Sequence, residues 1–442
     1  MLSIYKFSII YIASFFLFIE NAKAQNKKWT LEQCIEYALK HNIEVKKSAN
    51  QIKALEIHKS TLKNNFLPNL NTGTSQKFAF GRSLNQNNMY ENSNIQNSSF
   101  SISTELTLFS GFKRTKSIKQ NKYDLLASIA DKKSIEDNIT LNVTSAYFQI
   151  LLNKEIQQIA EEQVKLTKEQ IDNTTQLIET GKVPLSQLYE VKAQLANDEL
   201  ALTEARNSVR LAILDLAQLM ELNKHETLDL VFEERDVTPI NDMNPINIYH
   251  AAESCMPQVK KAYYNLQSKE KGIQIAKSAY YPSILLGAGI TTGYYHYNNG
   301  ISDTFKKQLN NNMQKSIYIT INIPIFDRFS THNQIKTARI EESNAKLSLI
   351  NEQKTLYKNI EKTYIDAITS YEKYQATVKS VVATQEAHRY AIEKYAAGKS
   401  SVFEYNEQKM KLADALSQQT QAKYTFFLKE YILNYYSCYT LD

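Results

Sequence analysis

The sequence predicts an α+β membrane protein, internally duplicated, with long α-helical coiled-coil hairpins and four β-strands per chain. Three observations carry this. Residues 112–180 and 327–397 contain neither glycine nor proline, a helical tract of about 100 Å each at 1.5 Å per residue. Four runs of roughly ten residues alternate apolar and polar, the length a tilted strand needs to cross a bilayer. Both features occur twice, in the same order.

Residues 1–24 read as a signal peptide: Lys6, the apolar run 7–19, then Ala-Lys-Ala at 22–24. No other apolar run reaches the length of a membrane helix, so any crossing must be made by strands that close on themselves. The first repeat spans 25–238. It opens with a helix over 30–66, with Thr30 as N-cap and Gln33 three residues on. Strands follow at 69–81 and 100–109, the second with Phe100, Ile102, Leu106 and Leu108 on one face. The long helix 112–180, a turn at 181–184 and a helix over 185–222 complete it. In that last helix Val191, Leu195, Leu202, Ala205, Val209, Ala212, Leu216 and Leu219 form a heptad seam interrupted only by Asp198.

The second repeat, 239–442, predicts a helix over 246–280 and strands at 283–294 and 316–326. A long helix at 327–397, a turn at 398–401 and a helix over 402–436 follow. Ile284, Leu286, Ala288 and Ile290 share one face; Ile317, Ile319, Ile321, Ile323 and Ile325 share another. The offset is 217 residues around Gly181-Lys182 and Gly398-Lys399, where Glu190 aligns with Glu407 and Lys192 with Lys409. Four strands cannot close a barrel, because at least eight are needed, so two, three or four copies must pool them. The connections 83–98 and 295–315, rich in Asn, Ser and Tyr, read as disordered loops. Tyr294, Tyr295 and Tyr297 suit an interfacial aromatic belt or a plain edge cluster.

The chain has 52 basic and 46 acidic residues without a concentrated basic stripe, which argues against nucleic acid. Three distant cysteines, Cys34, Cys255 and Cys438, read best as buried free thiols. The seven histidines form no ligand pair, and no P-loop, dinucleotide or nucleophile-elbow motif occurs, so no enzyme, cofactor or metal is expected.

The signal peptide, the duplication, the strand pairs beginning at Pro68 and Pro282 and the glycine-broken helices together resemble the TolC-type outer-membrane efflux proteins. The most specific match is the motif of a glycine, an apolar residue four later and an acidic or polar residue six later: Gly181, Leu185, Gln187 and Gly398, Val402, Glu404. The resemblance implies a homotrimer with a shared twelve-stranded barrel in the outer-membrane lipid and a helical tunnel in the periplasm. It implies a passive duct for small molecules, working with an inner-membrane pump and a periplasmic adaptor (membrane fusion) protein. A duct for type I protein secretion is the alternative within the family. A non-conducting periplasmic coiled-coil spacer is the alternative outside it.

The resemblance also assigns the glycine turns to the periplasmic tip, where the tunnel narrows and the adaptor docks. It puts Glu404 and Glu407 on the narrowest ring, with Glu190, Gln187 and Tyr395 as neighbouring gate positions. Crowded carboxylates in such rings should resist full ionisation; alternatively the acids simply favour a helix N-terminus. Gln187 and Ser400 stand where a relative carries an aspartate and an arginine, so its interhelix salt bridge is missing. The expected closure therefore rests on hydrogen bonds and packing at Gln187 and Tyr395. For docking, Lys182 and Lys399 are candidates, with Val183, Pro184 and Leu185 as an apolar knob that either faces the adaptor or packs within the tip.

Overall fold

The computed structural model describes residues 28–84, 88–92, 94–222, 228–231, 235–240, 244–298 and 303–438. The expected signal peptide, 1–24, lies outside the described residues. The elements, in chain order, are β1 (Lys28–Trp29), α1 (Leu31–His41), α2 (Ile43–Asn64), β2 (Asn71–Ala79), β3 (Arg82–Leu84), β4 (Tyr90–Asn92) and β5 (Ile95–Ser110). Then come α3 (Lys113–Glu179), α4 (Ser186–Leu219), β6 (Asp229–Leu230), α5 (Pro245–Cys255), α6 (Pro257–Lys277) and β7 (Ser283–Tyr297). The chain ends with α7 (Phe305–Asn311), β8 (Gln314–Asn322), α8 (Ser330–Ala396) and α9 (Val402–Tyr436). The chain folds as two units, one of residues 48–131 and 257–354, the other of the remaining residues.

In the first unit four strands form one antiparallel sheet in the order β2-β5-β7-β8. The register sets apolar side chains in rows: Leu106 opposite Leu286, and Leu286 opposite Ile319. The next row on the other face joins Glu105, Gly287 and Tyr318. The Tyr318 ring lies across Gly287, where a Cβ would fall inside it, and its hydroxyl donates to Glu105 at 3.2 Å. A side chain at 287 would therefore evict the tyrosine. β2 is almost wholly exposed and β8 entirely so. Both are edges whose outer backbone groups pair with nothing among the described residues.

The second unit is helical. Its core joins Val143, Tyr147 and Ile150 of α3, Leu216 and Met220 at the end of α4, and Phe426 and Phe427 of α9. Cys34 and Ala38 of α1 pack on it. The short β1 and β6 pair in parallel beside this core. The α4 seam is buried largely as its heptads predict, Asp198 included, with Leu195 and Leu219 half-buried.

Several expectations are corrected. The helix over 30–66 is two helices, because buried Asn42 ends α1 and its Oδ1 accepts from Glu44 N at 2.9 Å to start α2. The helix over 246–280 breaks at Met256, which adopts an extended conformation because Pro257 follows it. The loop over 83–98 contains the β3–β4 hairpin and the first residues of β5. The loop over 295–315 holds the end of β7 and α7, tied to β7 by Asn312 Nδ2 donating to Gly293 O at 2.8 Å. Cys255 and Cys438 form a disulfide, 183 residues apart in sequence and 6.7 Å between Cα atoms. Cys34 is free and buried, and burial pushes its thiol up to about 12. The sequence reading of free thiols missed the pair because nothing local signals a contact over that separation.

Candidate functional site

The two glycine breaks fold alike. Gly181 and Gly398 both have φ +69°, the left-handed region that glycine enters without a Cβ clash. Lys182 N donates to Leu177 O and Gly181 N to Ile178 O, each at 2.9 Å. Lys399 N and Gly398 N repeat this with Lys394 O and Tyr395 O, also at 2.9 Å. This crossed pair of bonds satisfies the last carbonyls of each long helix before the chain reverses. The turns lie side by side, since Lys182 Cδ is 4.0 Å from where a Cβ on Gly398 would sit.

The restarts differ. α9 begins with Ser401 as N-cap, its hydroxyl accepting from Glu404 N at 3.2 Å. α4 begins after Pro184 with no side-chain cap. Between the hairpins Leu177, Val191, Tyr395, Val402 and Tyr405 form a small buried cluster, with Val183 packed against it. Of the apolar knob, then, Val183 packs inward, whereas Pro184 and Leu185 are exposed. Lys182, Lys399 and Glu190 are exposed as well.

Glu404 and Glu407 each hold a lysine. Glu404 Oε1 is 3.3 Å from Lys394 Nζ, and Glu407 Oε1 is 2.7 Å from Lys411 Nζ. Both side chains remain about half exposed. The Tyr395 hydroxyl bonds not to Gln187 but to Thr174 Oγ1, at 2.6 Å. Gln187 Oε1 and Ser400 Oγ are buried without a partner among the described residues.

Deeper in the same hairpin pair lies a group that the sequence reading did not single out. Lys409 of α9 is 1 % exposed, yet its Nζ donates to Asp198 Oδ2 of α4 at 2.7 Å and to Thr167 Oγ1 of α3 at 2.5 Å. Gln194 Nε2 donates to the second Asp198 oxygen at 2.7 Å, and Thr167 donates to the first at 2.5 Å. Both carboxylate oxygens and two of the three ammonium donors are therefore engaged, the kind of hydrogen bonding that makes a buried pair tolerable. A charged pair thus joins the two hairpins, eleven residues past the second glycine, beside their hydrogen bonds and packing. Its signal in the sequence was Asp198, the one polar residue in the α4 seam.

His388 of α8, 6 % exposed, packs with its ring 5.6 Å from that of Tyr405, and its Nε2 is buried without a partner among the described residues. Burial and then the Lys409 charge lower its pKa from 6.5. The folded state therefore binds fewer protons than the unfolded chain below that value. As pH falls through about 6.5, stability should decline by up to about 1.4 kcal/mol per pH unit until the folded group titrates. A His388→Phe variant should lose this component of the acid sensitivity in thermal melts between pH 7 and pH 5. An identical pH profile would count against it. Burial likewise raises Tyr395 and pushes Tyr405 up to about 12, so both remain neutral donors at neutral pH.

The model of the family described as outer membrane efflux protein matches residues 34–221 and again 248–426. The outer membrane protein TolC of Salmonella enteritidis is 22% identical over 414 residues, 92% of this chain and 81% of that protein. Among solved structures, the transmembrane channel CusC superposes with TM-score 0.78 at 16% identity, over 92% of this chain and 91% of that one. The outer membrane channel CmeC of Campylobacter jejuni gives TM-score 0.77 at 16% identity, over 93% of this chain and 85% of that one. The family model matches once per repeat, and each match contains one glycine turn and one strand pair. The chain belongs to the outer membrane efflux protein family.

Proposed function

We propose that the protein is the outer-membrane duct of a tripartite efflux system, a passive trimer carrying small molecules from an inner-membrane pump and a periplasmic adaptor to the outside. The observation that carries this reading is the open-edged sheet. Its face bears Ile317, Ile319 and Ile321, the first 81 % exposed, and the outer edges of β2 and β8 pair with nothing among the described residues. In lipid each unsatisfied backbone group costs several kcal/mol, so the edges must be joined to those of other copies. Three copies give twelve strands, enough to close a barrel.

In that assembly Glu404 and Glu407 form two stacked rings of three carboxylates at the narrow end, with Tyr395, Gln187 and Glu190 around them. Lys182, Lys399, Pro184 and Leu185 form the surface the adaptor meets. Val402 anchors the second turn in the buried cluster, and Ser400 belongs to the turn that precedes the cap at Ser401. The detergent-purified protein should run as a trimer and give stable single-channel steps in a planar bilayer. A protein that washes off membranes without detergent and gives no steps would overturn the duct.

A further inference from the structure

The antiparallel order β2-β5-β7-β8 brings the start of β2, the end of β5, the start of β7 and the end of β8 to one rim of the sheet. The helices α2, α3, α6 and α8 all join the sheet at that rim. Their rim-proximal stretches are unusually basic. Residues 113–122 hold Lys113, Arg114, Lys116, Lys119 and Lys122 and no acid, and 328–339 hold three Lys/Arg and no acid. Residues 53–64 and 266–277 each hold three against one glutamate. The whole chain carries only +6, so the excess is concentrated at this rim. The sequence reading found no basic stripe because these stretches lie far apart in the chain.

Within the collar is a concave site. A pocket of about 410 Å³ is lined by Lys277, Tyr280 and Tyr281, just before β7, and by His332, Lys336 and Arg339 on the first turns of α8. Lys277, Lys336 and Arg339 are exposed and make no ion pair among the described residues. Two acids near it, on α8 and at its cap, are already engaged. Glu341 pairs with Lys269 at 2.9 Å, and Asp327 Oδ2 accepts from Thr331 N at 2.7 Å. Tyr280 and Tyr281 are half exposed, the amphipathic rings that settle at a membrane–water boundary.

We propose that this pocket binds the phosphate of an anionic phospholipid headgroup in the leaflet that the helices adjoin, and that the collar around it draws such lipids to the barrel. The proposal rests on the membrane reading above. Three unpaired cations around a concavity match a phosphate diester, the tyrosines match the glycerol and upper acyl region, and the apolar face of β7 begins at Ile284, three residues beyond Tyr281. A basic residue at an anionic surface is worth roughly a fivefold gain in binding.

The test is native mass spectrometry of the detergent-solubilised full chain with equal amounts of phosphatidylglycerol and phosphatidylcholine, alone and with millimolar inorganic phosphate. The wild type should retain phosphatidylglycerol about tenfold or more over phosphatidylcholine, without displacement by phosphate. Lys336→Gln/Arg339→Gln should lose that preference. Lys346→Gln/Lys354→Gln, removing equal charge farther along α8, should keep it. The oligomer mass in the same spectra reports folding, and Lys277→Gln replaces the pair if the oligomer fails to form. Equal retention of both lipids, an unchanged pocket variant, or displacement by free phosphate would each overturn the lipid site. Release from membranes without detergent would instead remove the membrane reading on which it rests.

Discussion

Replacing Lys409 by methionine is expected to lower stability by about 3–5 kcal/mol, the cost of leaving a buried charge without its partner. Asp198 would keep its bonds from Gln194 and Thr167 but lose the only cation within reach among its described contacts. Removing both charges, as Lys409→Met with Asp198→Leu, should recover most of the loss, because the desolvation of each ion disappears with it. The repeat supplies an internal control. Lys192 occupies the equivalent position in the first hairpin, but it is exposed, with its Nζ 5.7 Å from the Tyr189 ring centroid. Lys192→Met should change stability by less than about 0.5 kcal/mol. Thermal unfolding of the wild type, Lys409→Met, Asp198→Leu and the double variant would give the coupling between the two charges directly. If Lys409→Met proved as mild as Lys192→Met, the pair would not hold the hairpins together.

Conversion of Glu404 and Glu407 to glutamine is expected to reduce cation-over-anion preference in single-channel recordings by about tenfold, the scale on which a focused field concentrates ions. The two residues lie three apart on one face of α9, so a trimer would stack their rings one turn apart. Their lysine partners set the strength of the effect. Lys394 and Lys411 offset part of the negative field, and both pairs are exposed enough to be screened by salt. Lys394→Gln should therefore shift selectivity the opposite way, towards cations, most visibly at low ionic strength. Selectivity unchanged in the double glutamine variant would place the two acids off the conducting path. The acids would then serve only to start the helix, as the Glu404 amide bonded to Ser401 already does.

Local chemistry was enough to locate the long elements. The absence of glycine and proline over 112–180 and 327–397 left the backbone no reason to break, and α3 and α8 run unbroken over 67 residues each. Period-two alternation named the strands, and Gly181 and Gly398 named the turns, because only a residue free of a Cβ takes φ +69° readily. What misled were residues whose effect depends on a partner or a neighbour in space. Asn42 reads as an ordinary helix residue until its side chain caps the next helix, and Pro257 divides a tract whose periodicity is otherwise continuous.

The same division holds at the candidate site. The turn glycines and the two acids of α9 are legible because their spacing repeats and resembles a family motif. The Lys409–Asp198 pair is not: Asp198 stands out only as the polar residue of the α4 seam, and Lys409 reads as a surface residue of an amphipathic helix that becomes buried only when α3, α4 and α9 come together. Lys192 and Lys409 share one place in the repeat, yet one is solvated and the other sealed in a polar core. The basic collar is likewise spread over four stretches and gathered only by the order of the sheet. By itself, then, the sequence determined the elements, their duplication and the turns, all of which follow from propensities acting within a few residues. Which charges are buried, which cysteines bond and which cations share a rim were decided by tertiary structure, since each depends on chain segments far apart in sequence meeting in space.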